Sequence, residues 1–210
     1  MNERYGGDYY SNNTTLQEML VYPFSTAPAD FVTSYKTYTK KDNDGLNRVV
    51  VVKPPNIEIE TGQEFPKTDS QFFGNHSVDM KCLCGEGFVL LQKQAVDNQG
   101  YPLSAMVEDF SIIRIRKGDA LTIPPYYYIR FVNIKGKTNY FTIEDDSLGK
   151  VTDDNLFILP DVSTYELLNL QGFAYDVVKG VDGNPALKKN MFYREIKEKF
   201  LGGLSSFPTE

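Results

Sequence analysis

The side chains best suited to metal or redox chemistry are few and lie close together. His76 is the only histidine in the chain, and Cys82 and Cys84 are its only cysteines. One intervening residue puts both thiols on the same face of a strand, a tighter spacing than that of a zinc ribbon, and two thiolates leave a closed metal site two ligands short. The pair is read as small apolar fillers, kept reduced as cytoplasmic thiols are. His76 falls in the turn Gly74-Asn75-His76-Ser77, where an exposed or supporting role is expected rather than ligation. With no second histidine to join His76, the chain is poorly supplied for a tight transition-metal site, and no metal and no cofactor are expected.

The bulk of the chain narrows the partners. With 210 residues and 41% hydrophobic content it can bury a full core as one domain. A net charge of -6 would repel phosphate backbones and anionic lipid, so nucleic acid and membranes are not expected partners. No apolar run approaches the roughly 18 residues of a membrane span. Met1 to Thr15 lacks the basic start and apolar stretch of a secretory signal, and a cytoplasmic location is the expectation.

The elements that must position any site are strands. Short runs rich in β-branched and aromatic residues recur at Val32–Thr39, Arg48–Val52, Ile57–Glu60, Val78–Cys84, Phe88–Gln92, Phe110–Ile115, Ala120–Ile123, Tyr127–Asn133 and Tyr140–Ile143. Turn residues such as Asn43-Asp44-Gly45, Gly85-Glu86-Gly87 and Lys117-Gly118-Asp119 separate them. That pattern predicts an antiparallel barrel or sandwich, with Asp97 to Pro102 as an extended hairpin tip. Helical signals are confined to the ends: Thr14–Leu20, Ser163–Leu170, and the amphipathic segment Asn190–Leu201, which stops at Gly202-Gly203. The whole chain, 1–210, reads as a single domain, with an N-terminal arm over 1–29, the barrel over 30–160, and a C-terminal region over 161–210.

Three segments in order go beyond a generic all-β reading. They are Gly85-Glu86-Gly87-Phe88-Val89-Leu90-Leu91-Gln92, the run Gly118 to Asn133 with its Pro124-Pro125-Tyr126 turn, and Tyr165 followed by Gly172-Phe173. Together they resemble the archaeal-type glucose-6-phosphate isomerases. The resemblance implies a cupin fold, a double-stranded β-helix or jelly-roll barrel with short peripheral helices, and a homodimer. It also implies one divalent metal in the barrel, held by a His-x-His pair, a Glu and a second-motif His.

Those ligands are missing here. The His-x-His pair falls near Ser70 to Phe73, Asp79 takes the Glu position, and Ile129 takes the place of the second His. If Asp79 points inward as the resemblance implies, so do Lys81 and Leu83, while Cys82 and Cys84 point outward. Asp79 and Lys81 would then form a pair in the lumen or sit in water at its mouth. Alternation also groups Tyr127, Ile129, Phe131 and Asn133 on one face, which suggests a filled core. The phosphate end of the family pocket corresponds to Lys67-Thr68-Asp69-Ser70, where Lys67 and Thr68 could serve a sugar phosphate and Asp69 would repel it. Tyr165 would contact a ligand or cap a core. Three functions follow: a non-catalytic cupin binding a sugar-like ligand or a protein, a metal-independent aldose–ketose isomerase with Asp79 as base, or a structural subunit of a larger assembly, with the first preferred and isomerase activity expected to be absent or many-fold lower than in a metal-bearing relative.

Overall fold

A strand that alternates apolar and polar residues buries one face, and two such sheets stacked together share a core. The computed structural model describes residues 10–14, 35–42, 45–52, 58–68, 70–135, 139–145 and 172–208, and these contain strands and turns but no helix. In chain order the strands are β1 (Tyr10–Thr14), β2 (Tyr35–Asp42), β3 (Gly45–Val52), β4 (Gln71–Phe72), β5 (Val78–Cys84), β6 (Glu86–Val96) and β7 (Pro102–Arg116). They continue with β8 (Ala120–Ile123), β9 (Tyr128–Asn133), β10 (Asn139–Asp145), β11 (Tyr175–Lys179), β12 (Pro185–Lys189) and β13 (Glu195–Phe200).

One sheet runs β1-β2-β3-β10-β5-β8 and the other β13-β7-β6-β9-β4, with β11 and β12 as a separate hairpin. The eight strands from β3 to β10 therefore divide into β3-β10-β5-β8 over β4-β9-β6-β7, the strand order of a jelly roll and the architecture of a cupin barrel. Both sheets contribute to the lumen, which is filled by Val50 and Val52 of β3, Val78, Met80 and Cys82 of β5, Val89 and Leu91 of β6, Ile115 of β7, Ile123 of β8, and Ile129 and Phe131 of β9. Burying each large aliphatic or aromatic side chain in that set is worth about 1.5–3 kcal/mol.

The face of β5 is opposite to the one expected. Val78, Met80 and Cys82 are buried in the lumen, whereas Asp79 and Lys81 are exposed. The strand's own apolar alternation decides this, because the reverse register would put an Asp and a Lys in a dry core and three apolar side chains in water. Cys82 is the apolar filler expected, though in the lumen, whereas Cys84, at the strand's end, is exposed rather than packed against a neighbouring layer.

A second apolar layer covers the outer face of the β6-β7-β9 sheet. There Phe88, Leu90, Val107, Phe110, Ile112, Tyr128 and Val132 pack against Phe173, Tyr175, Val177, Leu187 and Tyr193. Residues 58–68 stitch the two parts: Phe65 N–H donates to Val177 O and Lys179 N–H to Gln63 O on one side, while Thr68 N–H donates to Phe131 O and Asn133 N–H to Pro66 O on the other. Residues 58–60, expected within a strand, are irregular: Glu60 closes a local turn instead, its N–H donating to Gln63 Oε1 and its carbonyl accepting from Gln63 N–H.

The C-terminal segment is not the expected helix. Residues 195–200 form β13, which pairs in parallel with the edge of β7. The unpaired edge of a long strand outweighs a modest helical pattern, and only Ile196 and Leu201 of the apolar stripe reach the second core, leaving Met191 and Phe200 exposed. Of the other two helical expectations, Thr14 closes β1, and residues 15–20 and 163–170 lie outside the described residues.

The β6–β7 hairpin is irregular near its tip. Its register shifts between Lys93 and Gln94 and again between Gln94 and Val96, where Gln94 opposes Val107 but Val96 opposes Pro102. The surplus residues of β7 bulge out, and Ala105 takes a φ of 62° there. The Gln94 amide replaces the lost ladder, with Nε2 donating to Leu103 O and to Met106 O, each at 2.6 Å.

Candidate functional site

The lumen, where the resemblance would put a metal, is mainly apolar at the described positions, with Asn133 of β9 and Tyr127 just before that strand as its polar members. Ile129 and Phe131 cluster with Val78, Met80 and Cys82; the Met80 thioether is a poor ligand for a hard or borderline divalent ion, and the Cys82 thiol is pushed up to about 11 by burial, so it stays protonated rather than forming the thiolate a metal needs. Among the described residues no three His, Cys, Asp or Glu side chains group to hold a metal ion. These residues do not fit the family's metal.

The expected site residues are not brought together. Asp79 is exposed and accepts a hydrogen bond from Thr122 Oγ1 at 2.6 Å, and Lys81 is exposed beside it. Tyr127, Ile129, Phe131 and Asn133 do share a face, as alternation predicts. Asn133 is fully buried and its Nδ2 donates to Val52 O at 3.0 Å, tying the two sheets together. Tyr127 donates to Asp109, and burial followed by that carboxylate raises its phenol well above the ordinary range, so it remains a donor. Thr68 Oγ1 accepts from Phe131 N–H at 3.1 Å. His76 is half-buried in its turn. Tyr165 and Asp69 lie outside the described residues.

Lys67 is buried in a cluster that only partly shows in the sequence. Its Nζ contacts Glu64 and lies 2.9 Å from Asp176 Oδ1. Arg130, fully buried on the outer face of β9, has Nη1 3.5 Å from the same Asp176 oxygen and its guanidinium 4.5 Å from the centre of the Phe173 ring. Glu64, Lys67, Arg130 and Asp176 thus form a two-cation, two-anion cluster that clamps β11 to the barrel. Burial pushes the Glu64 carboxyl up to about 7, outweighing the opposing pull of Lys67, and Asp176 adds to the rise. A phosphate reaching Lys67 would have to displace both carboxylates.

Two cavities of ligand size open outside the lumen. The first, of about 580 Å³, lies near Glu58, Phe65, Arg114, Lys135, Lys179 and Gly203. Its cations are already engaged, Arg114 by Glu86 and Lys179 by Glu58 and Ile59 O, while Lys135 lies 3.9 Å from Glu86. The second, of about 620 Å³, lies between the β6–β7 tip and the β8–β9 turn, and it is walled by Phe72, Gln94, Val96, Tyr101, Tyr126 and Tyr128. Phe72 and Tyr128 stack there with ring centres 4.6 Å apart. Tyr101 and Tyr126 are 61% and 54% exposed, and Lys93 and Glu108 pair at 3.0 Å in its wall. The sequence signals for this groove were the long hairpin tip and the tyrosine-rich Pro124-Pro125-Tyr126-Tyr127-Tyr128 turn. The residue that closes the bulge, Gln94, carried none.

No protein-family model matches the chain, and no curated protein matches it. Among solved structures, it is similar to the Drosophila melanogaster CENP-C cupin domain, with a TM-score of 0.36 at 14% identity over 57% of this chain and 73% of that one. Bacillus subtilis oxalate decarboxylase gives 0.40 at 13% identity over 65% of this chain and 33% of that chain. The Schizosaccharomyces pombe Cnp3 cupin domain gives 0.35 at 15% identity over 55% and 67%. The chain therefore spans about a third of the decarboxylase. These likenesses are distant, and the jelly-roll strand order stands without them.

Proposed function

We propose that the chain is a non-catalytic cupin domain, a divergent relative of the archaeal-type glucose-6-phosphate isomerases, that binds a sugar-like ligand outside its barrel. The observation that carries this reading is the filled lumen: Met80, Cys82, Ile129 and Phe131 occupy the space where a substrate and metal would sit, and the two ligand-sized cavities open elsewhere. An isomerase needs a base and an electrophile converging on one substrate. Here Asp79 and Lys81 stand in water on the far side of β5 from the lumen.

The assembly-subunit reading has one observation in its favour, the exposed Met191 and Phe200 beside the outer edge of β13. That edge carries Glu195, Lys197, Glu198 and Lys199, all exposed, and charges of this kind discourage strand addition. Ligand binding is favoured for that reason. A glucose-6-phosphate isomerase assay on the purified chain, with and without added divalent metal, tests the proposal. No turnover is expected, and turnover lost in Asp79→Asn would overturn it.

A further inference from the structure

One strained backbone lines the groove, and a second lies in the bulge beside the same hairpin tip. Among the described residues Ala105 and Tyr126 are the non-glycine residues with positive φ, at 62° and 64°. Such conformations persist only where the surrounding structure enforces them, and they concentrate at functional sites. Ala105 lies in the bulge that Gln94 closes. Tyr126 is pinned by its N–H to Gly74 O at 2.8 Å and holds its ring at the groove, largely exposed. Glycine would make the same turn without strain, so the turn does not account for a tyrosine at this position.

We infer that the groove binds a neutral, hydroxyl-rich sugar ring against Tyr126 and Tyr101, which rests on the proposal that the chain binds ligands outside its lumen. The cavity of about 620 Å³ falls within the ~300–1,000 Å³ of small-ligand pockets. Tyrosines present an apolar face with a polar tip, suited to the C–H face and hydroxyl rim of a pyranose. The charges of Lys93 and Glu108 cancel at 3.0 Å, so the groove offers no uncompensated cation to a phosphate. Its unmet polar atom is an acceptor: Gln94 is 6% exposed, and with Nε2 committed to two carbonyls its Oε1 has no donor. That oxygen lies beneath the groove wall, and a ligand hydroxyl that parts the wall would supply the missing donor. Sugar hydroxyls donate, whereas a proline-rich peptide offers carbonyls and lacks N–H groups at its prolines.

The test is an NMR titration of the ¹⁵N-labelled full chain with maltose, cellobiose and lactose at millimolar concentrations, repeated with a proline-rich decapeptide. At least one disaccharide is expected to shift the amides of Gln94, Tyr101 and Tyr126. Tyr101→Ala should weaken binding by roughly five- to ten-fold. Tyr126→Gly should weaken it by about ten-fold or more while leaving the Tm equal or higher, because the strain is relieved as the ring is lost. A purely structural tyrosine would give the opposite pair of results. Wild-type affinity in Tyr126→Gly, binding of the peptide alone, or no shift with any of these sugars would overturn the inference. Disaccharide shifts confined to Lys179 and Arg114 would also overturn it while leaving the broader proposal standing, and isomerase turnover would sink that proposal whatever the groove binds.

Discussion

Lys67→Met tests the buried charge cluster most directly. At 2.9 Å and an effective dielectric of about 20, the attraction of Lys67 for Asp176 is on the order of 6 kcal/mol before desolvation is counted. Removing one partner of a buried pair typically costs about 3–5 kcal/mol, because the other charge stays buried without compensation. Here two carboxylates would lose their nearest cation, with Arg130 3.5 Å from Asp176. Since the Glu64 carboxyl titrates near 7, it is largely neutral at pH 5 and largely charged at pH 8. The loss should therefore be greatest, about 3–5 kcal/mol, at pH 8 and distinctly smaller at pH 5. Urea unfolding reads this out: with an m-value of about 2–3 kcal/mol/M the midpoint should fall by roughly 1–2 M at pH 8. Lys197→Met on the exposed face of β13 should stay within about 0.5 kcal/mol of wild type. A loss below about 1 kcal/mol at pH 8, with m unchanged, would refute the clamp, and equal losses at the two pH values would refute the role given to Glu64.

Three further outcomes are expected. The Glu64 carboxyl sits higher in the folded chain, about 7, than its ordinary 4.5, so the folded state holds the extra proton and this contribution is complete below about 4.5 and lost as pH rises through 7. The urea midpoint of wild type relative to Glu64→Gln should decline across that window, and a flat difference would contradict it. A thiol-reactive disulfide should label the exposed Cys84 at once and Cys82 only on unfolding, since burial keeps the Cys82 thiol up near 11, and rapid labelling of both would count against the register of β5. Gly202→Ala combines a φ of 56° with a Cβ 2.8 Å from Ile112 O, and it should cost at least about 2 kcal/mol, or a Tm drop of about 4–8 °C in a differential scan.

The sequence carried the barrel well where turn chemistry and alternation agreed. Val78–Cys84 and Ala120–Ile123 match their strands end to end, and the tip at Asp97 to Pro102 joins β6 to β7. On β5 the position implied by the resemblance and the strand's own pattern, Val-Asp-Met-Lys-Cys, point to opposite faces, and the pattern, in which every second residue is apolar, decides. On β9 alternation gave the right grouping, yet all six residues are buried, since a second layer covers the outer face too. That second layer explains the cluster's invisibility. Glu64 and Lys67 lie three residues apart, but Asp176 is 112 residues beyond Glu64, and nothing local marks it or Arg130 as their neighbour.

The same packing bears on where binding energy can still act. Filling the lumen with Met80, Ile129 and Phe131 stabilises the barrel by several kcal/mol and removes the concave, water-accessible volume a ligand would need there. On the outer sheet the C-terminal hairpin and residues 58–68 cover one end, and the charge cluster holds them in place. Past that cover the sheet continues into the β6–β7 tip, where Tyr101 and Tyr126 stand exposed beside the partly buried Phe72 and the buried Tyr128. A bulge, two positive-φ residues and one unmet amide oxygen all fall at that same end. Selection for stability alone would have replaced Tyr126 with glycine and kept β7 regular, so the concentration of costly features at one groove argues that the groove is what the barrel supports.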